Sequence, residues 1–191
     1  MIEELERYAK ENNVPIMMPD GIAYVEAYIK ENNVKNILEV GTAIAYSAIR
    51  MCLASDDVKV TTIERNPQMI SKAKENIKKF NMEDRITIIE GDALDVTVDG
   101  SYDLIFIDAA KSQYIKFFNK YTPLLNKDGV VITDNLNFHG LREKVDTIES
   151  KNLRSMMKKL NDYIEFLKDN KEFTTTFLSI GDGLGITKRN D

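Results

Sequence analysis

The chemistry most easily read from this chain lies just beyond two apolar runs. Residues 102–107 lead into Asp108-Ala109-Ala110-Lys111, and residues 129–133 lead into Asp134-Asn135. Runs this apolar suit strands buried on both faces, as in a parallel sheet. Neighbouring parallel strands bring Asp108, Asp134 and Asn135 to one carboxyl edge. Two carboxylates and a carboxamide oxygen make a hard-oxygen set suited to magnesium, with positions left for water or a substrate. Acids at strand ends also cap helices, and that reading stands beside the metal one. Lys111, three residues after Asp108, is either an ion-pair partner or a general base beside the anionic cluster.

A second constellation surrounds Gly41. Residues 37–40 read as an apolar strand that breaks at Gly41 into a helix beginning near Tyr46 and Ser47. Backbone approaches a nucleotide-type ligand closely only where side chains are small, and Gly41, Thr42, Ala43 and Ala45 are small. Ala45 stands where the usual nucleotide fingerprint has a later glycine. Glu64 lies 23 residues beyond Gly41 at the end of the next apolar run, close to the spacing at which an acid accepts hydrogen bonds from ribose hydroxyls. Asp92, in Gly91-Asp92-Ala93, either accepts from an exocyclic amine such as that of adenine or caps a turn.

These residues need an alternating frame to hold them. Residues 2–12 and 20–32 read as helices, the second with Asp20 as N-cap. The extended link at 14–19 brings Met17 and Met18 either into the core or against a ligand. Residues 58–63 and 85–90 read as strands, and Asn66-Pro67 opens a helix carrying Ile70, Ala73, Ile77 and Phe80 on one face. A long amphipathic helix over 152–170 precedes a hairpin of 173–180 and 184–188 joined at Gly181-Asp182-Gly183. One hairpin strand must therefore run against the others.

With 191 residues, the chain has the length of one well-buried domain, 1–191. Its net charge of -5 argues against an extensive nucleic-acid surface but not against a local basic patch. Between 139 and 160 six basic residues, including Arg142, Arg154, Lys158 and Lys159, face three acids. Such a run also serves as an ordinary solvated face. Cys52 reads as a buried thiol, and His139, the one histidine, as a loop residue. The N-terminus lacks a basic start followed by an apolar core, and no run spans a bilayer, so a cytoplasmic protein without a membrane partner is expected.

Taken together, Glu39-Val40-Gly41-Thr42-Ala43-Ile44-Ala45-Tyr46-Ser47, Ile63-Glu64-Arg65-Asn66, Gly91-Asp92-Ala93, Phe106-Ile107-Asp108-Ala109-Ala110-Lys111, Thr133-Asp134-Asn135 and Gly181-Asp182-Gly183-Leu184 resemble the class I S-adenosylmethionine-dependent methyltransferases. Within them the likeness is to the metal-dependent family that includes catechol and caffeoyl-CoA O-methyltransferases. It implies a seven-stranded, doubly wound, mostly parallel α/β sheet with one antiparallel strand, and residues 1–36 lying over the cofactor. It also implies that S-adenosylmethionine touches Met17, Glu39, Gly41, Thr42, Ala43, Tyr46, Ser47, Glu64, Asp92, Ala93 and Asp108. Magnesium or another divalent cation is then held by Asp108, Asp134 and Asn135, Lys111 and Asp108 are catalytic, and the protein is a homodimer.

A nearer likeness, carried by residues 14–17, 138–141 and 181–184, is to the bacterial methyltransferases acting on 5-hydroxyuridine in tRNA. It implies a tRNA substrate methylated at the wobble position, with Arg142, Arg154, Lys158 and Lys159 contacting phosphates. The alternatives are a small-molecule catechol acceptor and a non-catalytic binding module. A catechol and 5-hydroxyuridine offer a metal the same bidentate pair of adjacent oxygens.

Overall fold

A computed structural model describes residues 1–137 and 140–191. In chain order the elements are α1 (Ile2–Glu11), α2 (Pro19–Glu31), β1 (Asn36–Val40), α3 (Tyr46–Ala54), β2 (Lys59–Glu64), α4 (Pro67–Lys79), β3 (Ile86–Glu90), β4 (Tyr102–Ile107), α5 (Tyr114–Tyr121), β5 (Leu125–Thr133), α6 (Lys151–Asp169), β6 (Phe173–Leu178) and β7 (Leu184–Arg189). The strands form one sheet in the order β3-β2-β1-β4-β5-β7-β6. Strands β1 to β5 pair in parallel, and β7 is antiparallel to both β5 and β6. The single reversed strand is therefore β7, as the tight hairpin requires.

Strand alternation divides the apolar residues between two layers. Leu104, Phe106 and Ile132 pack with α2, α3 and α4 in one cluster, while Ile105, Ile107 and Val131 pack with α5 and α6 in the other. Successive side chains on a strand point to opposite faces, so a strand buried on both sides must be apolar throughout. Cys52 is buried in the first layer, and its thiol is pushed up to about 12 by that burial. Among the described residues no helix is long and apolar enough to cross a membrane.

Parallel register aligns the strand ends. Val40 pairs with Ile63 and with Ile107, and Ile107 pairs with Thr133. The next residues, Gly41, Glu64, Asp108 and Asp134, therefore leave the sheet along one edge. Gly41 has φ +104°, and a Cβ there would lie 2.1 Å from the carbonyl oxygen of Asp108. Its lack of a side chain thus first allows β1 to end against β4, before any ligand is considered.

Two local expectations are corrected. Asp20 does not cap α2, because the helix starts at Pro19 with Met18 as N-cap. Proline is well suited to a first helical position, where its missing N–H costs nothing. The Asp20 carboxylate instead accepts from the backbone N–H groups of Gly21 and Gly181, each at 3.0 Å. Strand β5 also begins earlier than residue 129, at Leu125. After Leu125 its residues 126–128 are polar, and the register against β4 shifts between Tyr102 and Leu104, so the apolar run that marks the strand begins only at Gly129.

Candidate active site

The aligned strand ends open into a cavity of about 740 Å³, a size suited to a cofactor and the reacting part of a substrate. Its lining follows the sheet edge from β3 to β7. Gly91, Asp92, Ala93 and Leu94 come from the β3 end, Glu64 and Arg65 from β2, and Gly41, Thr42, Ala43, Tyr46 and Ser47 from the β1 to α3 connection. Asp108 to Gln113 follow β4, Asn135 follows β5 and Asp182 lies in the β6 to β7 turn. Pro15, Ile16, Met17 and Met18 form an apolar wall. Met17 is both core and wall, since it is buried and still faces the cavity.

At the β2 end, Glu64 is held by backbone. Its Oε2 accepts from Ala43 N at 2.9 Å, and its Oε1 accepts from Arg65 N and Asn66 N at 3.0 and 2.9 Å. A carboxylate has about four lone-pair positions, so one on Oε2 remains for a hydroxyl donor. The carboxylate also ties the small-residue loop to β2. Within that loop Ala43 and Ala45 have φ +45° and +65°, a conformation costly for any residue with a Cβ. Ala45 is fully buried and does not line the cavity. Its methyl group therefore bears on backbone strain and packing, not on the width of the crevice.

Glu39, expected at the cofactor, does not line the cavity. It is fully buried behind the loop, where Ser47 Oγ donates to its Oε1 and Thr62 Oγ1 donates to its Oε2 at 2.5 Å. Thr62 Oγ1 is in turn 2.6 Å from Thr42 Oγ1. Burial pushes the Glu39 carboxyl up to about 8, against the opposing pull of those two hydrogen bonds. Tyr46 and Ser47 do face the cavity. Tyr46 Oη donates to Glu6 at 2.8 Å and accepts from Arg50, itself paired with Glu26, which links α1 and α2 to this wall.

Asp108, Asp134 and Asn135 converge at the opposite end. Asp108 N donates to Val40 O and Asp134 N to Ile107 O, continuing the strand ladder into the acids. Tyr114 Oη donates to Asp134 O at 3.2 Å, and Tyr163 bonds Thr133 at 2.9 Å, so an aromatic cluster from α5 and α6 holds this turn. Asn135 adopts φ +60°. Its Nδ2 donates to Asp182 Oδ2 at 3.1 Å, which leaves Oδ1 as the group available to a cation. Lys111 Nζ is 3.8 Å from Asp108 Oδ1.

Burial, then the charge of Asp108, pushes the Asp134 carboxyl up to about 7. Burial likewise raises Asp108, partly offset by Lys111. A buried and a half-buried carboxylate that repel one another in this way are a fit host for a divalent cation. Among the described residues no cluster of three or more His, Cys, Asp or Glu ligands forms. The donor set is thus two acids and an amide oxygen, with Asp134 behind the cavity surface and Asp108 and Asn135 on it.

The residues proposed for tRNA phosphates lie elsewhere. Lys158 and Lys159 are exposed on α6. Arg154 spends Nε and Nη2 on Ile148 O, holding the turn before α6. None of the three lines the cavity. The side chain of Arg142, together with Phe138 and His139, lies outside the described residues.

Asp182 and Gln113 line the cavity yet escaped sequence reasoning. The first was hidden in a turn motif, the second in a polar stretch before a helix. Asp92, whose role was left open, accepts from Leu94 N at 2.9 Å and pairs with Arg65 at 2.9 Å. These bonds hold its carboxyl below the usual range, the Leu94 bond foremost. It is a turn cap as well as a wall.

Comparison with known proteins agrees with this geometry. A family profile described as O-methyltransferase matches residues 1–190. A Staphylococcus aureus structure, assigned provisionally as a caffeoyl-CoA O-methyltransferase, shares 47% identity at a TM-score of 0.95, over 99% of this chain and 92% of that one. The caffeoyl-CoA O-methyltransferase of Stellaria longipes is 29% identical over 80% of this chain and 67% of its own length. A Bacillus cereus O-methyltransferase in complex with SAH shares the fold, with 24% identity and a TM-score of 0.85 over 99% of this chain and 90% of that one.

Proposed function

The chain belongs to the O-methyltransferase family; from that premise we propose that it uses S-adenosylmethionine to methylate one oxygen of an adjacent oxygen pair, aided by a divalent cation at Asp108, Asp134 and Asn135. The observation that carries this reading is the convergence of the buried Asp134 carboxylate, the half-buried Asp108 carboxylate and the Asn135 amide oxygen at one end of the cavity. The ribose-type acceptor Glu64 lies toward the other end.

S-adenosylmethionine supplies a methyl group already activated on a sulfonium. Asp108, Asp134 and Asn135 would hold a divalent cation, which would supply charge stabilisation to the acceptor oxygen as it loses its proton. The chain's own part is alignment. Glu64 and the Gly41–Ala43 backbone hold the nucleoside half, and Met17 and Met18 exclude water from the donor. Lys111, beside Asp108, takes or shares the acceptor proton. The acceptor oxygen then forms its bond to the methyl carbon as the carbon–sulfur bond breaks, leaving a neutral thioether. Most of the rate gain comes from orientation and charge stabilisation.

The acceptor best supported by the relatives is a small catechol-type phenol. Proteins similar to this one are named caffeoyl-CoA O-methyltransferases, and a catechol O-methyltransferase of Mycobacterium tuberculosis is 30% identical over 52% of this chain and 47% of its own length. The second reading, 5-hydroxyuridine in tRNA, has the exposed Lys158 and Lys159 in its favour and offers the same adjacent oxygens.

Incubation with labelled S-adenosylmethionine, magnesium and either a catechol panel or tRNA carrying 5-hydroxyuridine separates them. Label in catechols alone supports the first reading, and label in tRNA alone replaces it with the second. Label in neither acceptor, with or without magnesium, overturns both. tRNA methylation should also weaken steeply with salt, whereas catechol methylation should not.

A further inference from the structure

We propose that Asp20 is a positioning residue for the cation end: by anchoring the β6 to β7 turn it sets Asp182, and through Asp182 the Asn135 amide. Asp20 is exposed and does not line the cavity. Any effect it has on the site therefore passes through the residues it holds.

Asp182 sits in a turn that does not fix itself. Gly181 and Gly183 flank it with φ +56° and +87°, and glycine is the residue with the widest choice of other conformations. Bonds from elsewhere decide where the Asp182 carboxylate lies. From the β5 side, Leu136 N donates to Gly183 O at 3.1 Å and Asn137 N donates to Asp182 O at 2.8 Å. From the other side, Gly181 N donates to Asp20 Oδ2 and Gly21 N donates to Asp20 Oδ1, each at 3.0 Å. Both carboxylate oxygens thus take charge-assisted bonds from backbone, and the side chain brackets α2 to the turn. The two backbones meet directly beside it, since a Cβ on Gly181 would lie 3.3 Å from Gly21 Cα.

The turn held in this way passes its geometry to the cation end. Asp182 is buried, and its Oδ2 accepts from Asn135 Nδ2 at 3.1 Å. That bond decides which end of the planar amide is left for a cation. Without Asp20, Gly181 loses its anchor and the aligned turn becomes one of several conformers. Cation affinity falls in proportion to the time spent aligned, so alignment for about a fifth of the time weakens it about fivefold.

The proposal rests on the cation reading of Asp108, Asp134 and Asn135. The test is titration of the full chain with manganese alone, free manganese being read by electron paramagnetic resonance, alongside thermal melts. Asp20→Ala should weaken manganese binding about fivefold, while the melting temperature changes little and S-adenosylhomocysteine affinity stays within about twofold. Asp20→Asn removes the charge but keeps an oxygen for Gly181 N, so its manganese affinity should stay within about twofold of the wild type. In the Asp182→Asn background, Asp20→Ala should cost less than about twofold more, because the two residues act along one route. Wild-type affinity in folded Asp20→Ala, an equal loss in Asp20→Asn, or an undiminished further loss in the double variant overturns the role of Asp20. Unfolding of Asp20→Ala overturns it too, since the bracket would then hold the fold and not the site. Failure of the folded wild type to bind manganese overturns the cation reading and this proposal with it.

Discussion

Glu39→Gln should change the pH dependence of stability while leaving the cofactor cavity intact. The carboxyl is fully buried, and burial raises it from an ordinary value of 4.5 to about 8. Between those values the folded chain holds a proton that the unfolded chain has released. Stability therefore falls as pH rises through this window, by about 1.4 kcal/mol per pH unit. Across the whole window the loss from this one group amounts to about 5 kcal/mol.

Glutamine mimics the protonated acid. Its oxygen accepts from Ser47 Oγ, and its amide nitrogen donates to Thr62 Oγ1, which turns its own hydrogen toward Thr42 Oγ1. The variant should match the wild type near pH 5 and exceed it in stability by a few kcal/mol near pH 8.5. Urea denaturation of both proteins from pH 5 to 9 measures this directly. Asp108 and Asp134 are raised in both proteins and act in the same direction, so the difference between the curves isolates Glu39. Parallel curves would refute the assignment of a buried, protonated Glu39. Affinity for S-adenosylhomocysteine at pH 7 should stay within about threefold, because Glu39 supports the loop from behind without lining the cavity.

Three further outcomes follow from the site. Asp134 is raised from 3.8 to about 7, so the metal-free protein should lose stability as pH rises through that range. Asp134→Asn should flatten that loss, melt higher at pH 8 without metal, and abolish the rise in melting temperature that magnesium should give the wild type. Asp182→Asn keeps an oxygen for Asn135 Nδ2 but removes the charge that orients it. Manganese affinity, titrated on the protein alone, should weaken about tenfold while the melting temperature changes little. Ala45→Gly relieves a left-handed alanine but surrenders a buried methyl and chain entropy, so urea denaturation should register a net change below about 1 kcal/mol. Its affinity for S-adenosylhomocysteine should equal that of the wild type.

What was legible beforehand follows from how far apart the determinants lie. Apolar runs and the residues after them reveal strand ends, because parallel register carries Val40, Ile63, Ile107 and Thr133 to one level. That is why Gly41, Glu64, Asp108 and Asn135 could be assigned to one cavity from spacing alone. Asp182 could not, because a Gly-Asp-Gly turn reads identically whether it faces water or the core. Its burial depends on Gly183, whose φ of +87° and lack of Cβ let the turn close against Asn137. It depends also on Asp20, which holds Gly181 from 161 residues away.

The side of β1 on which Glu39 lies was hidden for a related reason. Strand alternation combined with the approach of Thr62 and Ser47 turns its carboxyl behind the loop, away from the cavity lining. Gln113 carries no sequence signal at all. That the polar stretch Lys111-Ser112-Gln113 turns to the cavity is settled only by how the turn after β4 packs. Strand-end chemistry is local and therefore readable, whereas orientation and pairing depend on contacts between distant segments. The Glu39 variant probes those contacts through folding stability.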